Sequence, residues 1–303
     1  MVAVSGGVDS MVLLGLCLNY FQDGGIAVAH VNHNIRTGNK EEEIFIREYC
    51  EKKNIQYYST VLEWGGNEKQ SEEQFRKKRY DFLESIREKT SSKFLLTAHH
   101  ANDLLETFLF RLSRGAGIYG LLSPKVLEGN LFRPLLSVFK NEIQAYAVKH
   151  SILWKDDPTN QDDIYARNKI RNQVIPVLQS IHPTAETNIL QYIEDLRAYQ
   201  LYIESEIIKF LEVTPFPLEI KVFKQMDSLF QKELLLFPLR RYNFIPSRGQ
   251  LNEVLKIIET EVGGKEVSFG KCRYSIKDKK IYFSNAADFL PSKWSDSINF
   301  LDE

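Results

Sequence analysis

The chain has 303 residues, with 39 Lys plus Arg against 40 Asp plus Glu, 43% hydrophobic and 26% charged. These proportions describe a globular chain long enough for two domains and exclude collagen, coiled coil and wholesale disorder. No apolar run reaches the roughly 18 residues of a membrane span, and no secretory leader pattern is visible, so the expectation is a cytoplasmic protein with no membrane partner.

Over residues 1–114, short apolar runs alternate with longer periodic segments, the pattern of a parallel sheet covered by helices. Residues 1–4, 26–31, 55–62 and 94–98 read as strands; 9–21, 41–54, 71–89 and 102–114 read as helices. Gly115, Gly117, Gly120, Pro124 and Gly129 then mark an irregular stretch, followed by Arg133-Pro134-Leu135-Leu136 and a helix over 137–150. A loop at 156–163 leads to a helical segment, 165–180, closed by Pro183. Ile189, Ile193, Leu196, Ile203, Ile207 and Leu211 keep helical spacing, which predicts a long helix opening a second domain. The expected division is 1–190 and 191–303.

The rest of the chain reads as helical to residue 261 and then as a terminal β-hairpin, 267–276 and 281–284. The fold class is therefore α/β: an open parallel sheet with helices on both faces, plus a smaller, mainly helical second domain ending in a β-hairpin. Residues 218–281 carry 13 Lys plus Arg and 8 Asp plus Glu, a basic excess within a nearly neutral chain. Cys17, Cys50 and Cys272 form no C-x-x-C pair, so spacing encodes neither a disulfide framework nor a structural zinc site.

Ser5-Gly6-Gly7-Val8-Asp9-Ser10 falls between the first strand and the first helix. Two glycines let backbone N–H groups approach an anion, the helix start adds its positive dipole end, and Ser5 and Ser10 add hydroxyls. A Walker loop would carry a Lys and a dinucleotide fold would carry G-x-G-x-x-G; neither is present. Asp9 cannot attract phosphate by itself, so it points to Mg²⁺ between carboxylate and phosphate oxygens. His30, His33, His99 and His100 fall just past the ends of the second and fourth strands, at the edge that borders the ligand crevice of an open parallel sheet. On the fourth helix Asp103 and Glu106 share one face, placed to look into that crevice without entering the core.

The hexapeptide resembles the pyrophosphate loop of the N-type ATP pyrophosphatases, which implies an adenine nucleotide alpha hydrolase-like fold and AMP transfer to a carbonyl oxygen. Later segments are similar in order and spacing to the tRNA-isoleucine lysidine synthetase family: Ala29-His30-Val31-Asn32-His33 with Arg36; Glu73, Arg76, Arg79 and Tyr80; and Ala98-His99-His100-Ala101-Asn102-Asp103 with Glu106-Thr107, Arg111, Arg114, Gly115 and Gly117. Arg133-Pro134-Leu135-Leu136, Trp154 with Asp156, Asn160, and Tyr165-Ala166-Arg167-Asn168 with Arg171 continue the likeness. Phe75 stands where that family usually has a small residue, Asn102 where Asp is common and Leu104 where Gln is common. The second domain is similar more loosely, through Leu239-Arg240-Arg241 and the closing hairpin. Residue 1 stands at the start of the first strand, where family members commonly carry a preceding segment, so the expectation is either a minimal lineage or a late start.

The resemblance implies ATP-dependent ligation of free L-lysine to C2 of the wobble cytidine of tRNA-Ile with anticodon CAU, through an adenylated cytidine, releasing AMP and pyrophosphate. ATP and Mg²⁺ are the implied cofactors, and a homodimer is left open. By the same resemblance Ser5, Gly6, Gly7, Val8, Asp9, Ser10 and His30 would bind ATP, and Asp9 and Asp103 the metal. Asp9, Asp103, Arg76, His99 and Glu106 would be catalytic, with Arg36, His100, Arg114, Arg167, Asn168, Arg240 and Arg241 meeting lysine or tRNA. Arg248 and Lys271, with the rings of Tyr242, Phe244 and Tyr274, would add phosphate and stacking contacts in the second domain. Three rivals stay open: a tRNA thiolase of the same superfamily, a small-molecule amidating synthetase, and a non-catalytic nucleotide-binding module.

Overall fold

The structure is a computed structural model that describes residues 1–21, 25–32, 38–62, 72–155, 166–242, 244–261 and 263–285. It divides into two compact units, Met1–Ile193 and Glu194–Glu303. Among the described residues, no helix is long and apolar enough to cross a membrane.

The first unit runs β1 (Val2–Ala3), α1 (Val8–Tyr20), β2 (Ala27–Asn32), α2 (Gly38–Lys52), β3 (Gln56–Val61), α3 (Glu72–Lys89), β4 (Leu95–Leu96) and α4 (Ala101–Ser113). It continues through α5 (Ile118–Leu121), β5 (Leu127–Glu128), β6 (Leu131–Phe132), α6 (Lys140–Lys149), α7 (Ala166–Lys169), a π-helical turn (Ile170–Val174) and α8 (Ile175–Ile181). The sheet order is β3-β2-β1-β4-β6-β5, with Val2 beside Val28 on one side and Leu96 on the other. Every pair is parallel except β5–β6, so the open sheet carries one antiparallel edge strand.

Strand alternation sorts the side chains onto two covered faces. Val2, Val4 and Val28 pack with Met11 and Leu14 of α1, Ile46 and Cys50 of α2 and Ile143 of α6. Met1, Ala27 and Ala29 pack on the other face with Leu83 and Ile86 of α3. Both faces being apolar is why these strands read as short continuous hydrophobic runs.

The stretch expected to be irregular after Gly115 instead holds α5 and the β5–β6 hairpin. Two-residue strands are too short to leave a period in the sequence. The hairpin is held by parallel pairing of β6 with β4 and by buried Arg133 at its foot, which donates through Nη1 to the Lys125 carbonyl at 2.7 Å and through Nη2 to Glu128 Oε2 at 3.0 Å.

One helix, α9 (Ala185–Val213), begins in the first unit and ends in the second. The second unit continues with β7 (Leu218–Glu219), α10 (Ile220–Lys224), α11 (Ser228–Arg241), α12 (Arg248–Thr260), β8 (Glu266–Phe269), β9 (Cys272–Lys277) and β10 (Lys280–Asn285). A hairpin was expected at its end; the structure shows a four-stranded antiparallel sheet, β7-β10-β9-β8. The expected single strand 267–276 breaks at Gly270, whose φ of +58° turns the chain back between β8 and β9.

Two residues expected to meet RNA in this unit point inward. Tyr274 is fully buried, and its hydroxyl donates to the Leu235 carbonyl at 2.7 Å, so its ring is a core element and not a stacking platform. Arg240, whose side chain is only 8% exposed, pairs with Glu233 at 2.7 Å because the last turn of α11 lies against the core through Phe237 and Leu239. Arg241 lies over the Phe237 ring at 5.1 Å. Tyr242 and Phe244 are also partly buried against this core, whereas Arg248 and Lys271 are exposed.

Removing the Tyr274 hydroxyl deprives the Leu235 carbonyl of its side-chain donor. Tyr274→Phe is expected to lower stability by about 1–2 kcal/mol in denaturant unfolding, and an unchanged midpoint would refute the internal role.

Candidate active site

The strand β1 delivers the chain to Ser5, and Gly6 turns it with φ +92°, a left-handed conformation that an L side chain rarely adopts. Helix α1 starts after Gly7 with no side-chain cap, which leaves its first turn open toward the loop. The loop is knitted by its own hydroxyls. Ser10 Oγ accepts from the Ser5 N–H at 3.1 Å, donates to the Gly7 carbonyl at 3.0 Å and lies 3.2 Å from Ser5 Oγ. The Ser10 proton is thereby used to shape the loop, whereas Ser5 is exposed.

A cavity of about 430 Å³ opens over this loop, large enough for a small ligand. Ser5, Asp9 and Ser10 line it with Ala29 and Val31 of β2, Arg79 and Tyr80 of α3, Thr97 and His99 after β4, and Asp103 of α4. The loop, the ends of three strands and the start of α4 thus meet at the carboxyl edge of the sheet, as strand-end placement predicts.

Asp9 is tied to two distant parts of the chain. Its Oδ2 lies 2.5 Å from Lys140 Nζ, at the start of α6, and 4.0 Å from His100 Nε2. Its Oδ1 is buried without a hydrogen-bond partner. Asp103 Oδ2 accepts from the His100 N–H at 3.0 Å and lies 3.6 Å from the same Nε2, so two carboxylates converge on one imidazole. Among the described residues no three His, Cys, Asp or Glu gather as a metal cage. Two carboxylates, one with a free oxygen, suit Mg²⁺, which takes one or two carboxylates plus phosphate oxygens and retains waters.

His99 stands at the cavity wall with Nδ1 2.9 Å from Thr97 Oγ1. Burial lowers its pKa from 6.5 to about 4, against the pull of Asp103, so the ring is neutral at physiological pH.

Other expected site residues lie elsewhere. His30 is 3% exposed, alternates to the sheet face opposite Ala29 and Val31, and donates from Nδ1 to the Val4 carbonyl at 2.8 Å; burial holds its pKa below the usual value. It braces β1 against β2 and does not line the cavity. Glu106 was expected to look into the crevice outside the core; it is only 2% exposed and is gripped by Arg171, with Nε at 2.6 Å and Nη2 at 3.1 Å. Burial raises its pKa and the Arg171 pair opposes the rise.

Arg76 is an exposed residue of α3 whose guanidinium lies 5.4 Å from the Tyr80 ring centre; its neighbour Arg79 is the one that lines the cavity. Arg114 caps the far end of α4 and sits over Phe110 at 4.3 Å, about three helical turns from Asp103. Arg167 and Asn168 lie on α7, away from the cavity lining. Arg36 lies outside the described residues, as do His33, Asp156, Asn160 and Tyr165.

Lys140 was absent from the expected site, and Arg79, named in the likeness with Glu73, Arg76 and Tyr80, was given no role there. Lys140 did leave a signal: a lysine in the first turn of a helix opposes the dipole and calls for a nearby carboxylate.

The fold and the loop define a PP-loop domain, and a family model described as PP-loop domain matches residues 1–178. The chain is 37% identical to the tRNA(Ile)-lysidine synthase of Thermosipho africanus over 230 residues, 74% of this chain and 53% of that protein. It is 32% identical to the tRNA(Ile)-lysidine synthase of Chlorobaculum tepidum over 277 residues, 87% of this chain and 84% of that protein. The U34-tRNA thiolase of Methanococcus maripaludis, solved with its [4Fe-4S] cluster, shares the fold with a TM-score of 0.55 at 17% identity, over 64% of this chain and 70% of that one. The chain belongs to the tRNA(Ile)-lysidine synthase family. It spans between 46% and 66% of the length of several curated relatives it matches.

The depressed His99 pKa has a consequence for stability. The unfolded chain takes up a proton near pH 6.5, whereas the folded one resists until about pH 4, so this site contributes fully above 6.5 and its contribution falls as pH drops through that window. His99→Gln is expected to flatten the stability–pH curve between pH 6.5 and 4, and a variant curve parallel to wild type in thermal melts would refute the assignment.

Proposed function

We propose that the chain is an ATP-dependent ligase that joins lysine to C2 of the wobble cytidine of tRNA-Ile bearing the CAU anticodon. One observation carries the reading: an uncapped, lysine-free glycine turn opens onto a cavity that the carboxylate-bearing residues Asp9 and Asp103 both line. Membership of the lysidine synthase family supports the choice of substrates, and the absence of a membrane-crossing helix among the described residues agrees with work in the cytoplasm.

In the first step the cytidine O2 attacks the α-phosphorus of ATP, the bond to the bridging oxygen breaks, and pyrophosphate leaves. The amides around Gly6, Gly7 and the start of α1 receive the developing negative charge, and Arg79 adds a cation at the cavity wall. Mg²⁺, held by Asp9 and Asp103, would supply charge neutralisation on the departing pyrophosphate.

In the second step the ε-amine of lysine attacks C2 and AMP leaves with the former O2. A protonated amine cannot attack, so a group must take its proton. Asp103 lines the cavity and contacts His100, so after pyrophosphate has departed and Asp103 no longer serves its charge, this pair is the acceptor; Glu106 is committed to Arg171 and His99 is a weak base. In this reading the first unit performs the chemistry and the second contributes tRNA contacts through exposed cations such as Arg248 and Lys271.

Thiol chemistry is poorly served. Cys17, Cys50 and Cys272 are free and buried, and burial pushes the Cys17 and Cys50 pKa values up to about 11.

Purified protein with ATP, Mg²⁺, labelled lysine and a panel of tRNA transcripts should incorporate label only into the CAU isoleucine species, with one pyrophosphate released per event. Asp9→Ala should reduce that release by about a hundredfold or more while the fold persists. Release of ADP and orthophosphate, or turnover without RNA, would overturn the reading.

A further inference from the structure

Lys140 begins α6, where the helix dipole disfavours a cation, yet two contacts fix it there. Its Nζ meets Asp9 Oδ2 at 2.5 Å, and its backbone N–H donates to Asn102 Oδ1 at 3.0 Å. Asn102 is anchored in turn: its Nδ2 donates to Glu186 Oε1 at 3.0 Å, and Glu186 Oε2 accepts from Gln179 Nε2 at 2.6 Å. The side-chain amide of Asn102 is used at both ends, as acceptor for α6 and donor to α9. Meanwhile Asp9 Oδ1 stays buried and unpartnered.

We propose that Lys140 is a placeholder cation of the pyrophosphate loop, holding Asp9 until nucleotide binds and then yielding Asp9 Oδ2 to the divalent cation that accompanies the triphosphate, with Asn102 as its positioning residue. The inference rests on the reading that the Ser5 to Ser10 loop receives pyrophosphate. An isolated carboxylate at that loop would repel an incoming phosphate, and the ammonium removes that repulsion before any metal arrives. Once displaced, the flexible lysine stem lets the ammonium follow the phosphate oxygens, which a compact point charge with three donors can meet from several angles.

Two effects of opposite sign follow. Without Lys140, a divalent cation alone meets no competitor at Asp9 and binds tighter. Inorganic pyrophosphate without metal faces an uncompensated carboxylate and binds more weakly. The Lys140–Asp9 pair is partly exposed, so each shift should be modest, about fivefold.

The test uses the full chain, with Mn²⁺ alone titrated by electron paramagnetic resonance and inorganic pyrophosphate titrated in EDTA by calorimetry. Lys140→Met should bind Mn²⁺ about fivefold tighter and metal-free pyrophosphate about fivefold more weakly, while Lys140→Arg stays near wild type. Asn102→Ala removes the acceptor for the Lys140 N–H and adds no charge; it should move both affinities in the same directions by a smaller factor, and it carries the test if Lys140→Met does not fold. Unchanged or weaker Mn²⁺ binding, or undiminished pyrophosphate binding, overturns the proposal. These titrations contain no RNA or lysine, so their outcome is separate from failure of wild-type protein to modify tRNA.

Discussion

A carboxylate at the open start of a helix is the constraint around which the first unit is arranged. Asp9 sits in the first turn of α1, where the dipole favours an anion, but the same turn faces the loop suited to phosphate. The conflict is resolved by neighbours that arrive from distant parts of the chain: Lys140 from α6 and His100 from the start of α4. Asp9 therefore sits beside an anion-binding turn with one oxygen paired to Lys140 and the other unpartnered.

The sheet explains how those neighbours are brought there. Central β1 pairs with β2 and β4, so the loop after β1 and the histidine pair after β4 leave the sheet side by side. Alternation then decides which side chains reach the cavity. Ala29 and Val31 line it, while His30, between them in sequence, turns to the opposite face and bonds to Val4.

Buried charge in this molecule serves architecture as often as chemistry. Arg133 closes the β5–β6 edge hairpin, Glu106 is gripped by Arg171, and Arg240 pairs with Glu233 inside the second unit. Each would be costly to bury alone and each has an opposite charge or carbonyl oxygens at hydrogen-bond distance. Arginines that look alike in sequence thus divide into internal braces and cavity or surface cations.

The sequence by itself determined the α/β class, the strand-loop-helix placement of Ser5 to Ser10, and the convergence of that loop with His99 and Asp103, because these depend on local hydrophobic period and on which end of a strand a motif follows. It could not show that Glu106 is enclosed, that His30 faces away, or that Tyr274 and Arg240 belong to a core. Nor did it reveal the two-residue strands β5 and β6, which are too short to carry a period. Only the tertiary structure decided the Lys140–Asp9 pair and its Asn102–Glu186 support, because residues separated by 131 and 84 positions meet through packing; a local pattern can show that Lys140 calls for a carboxylate but not which one.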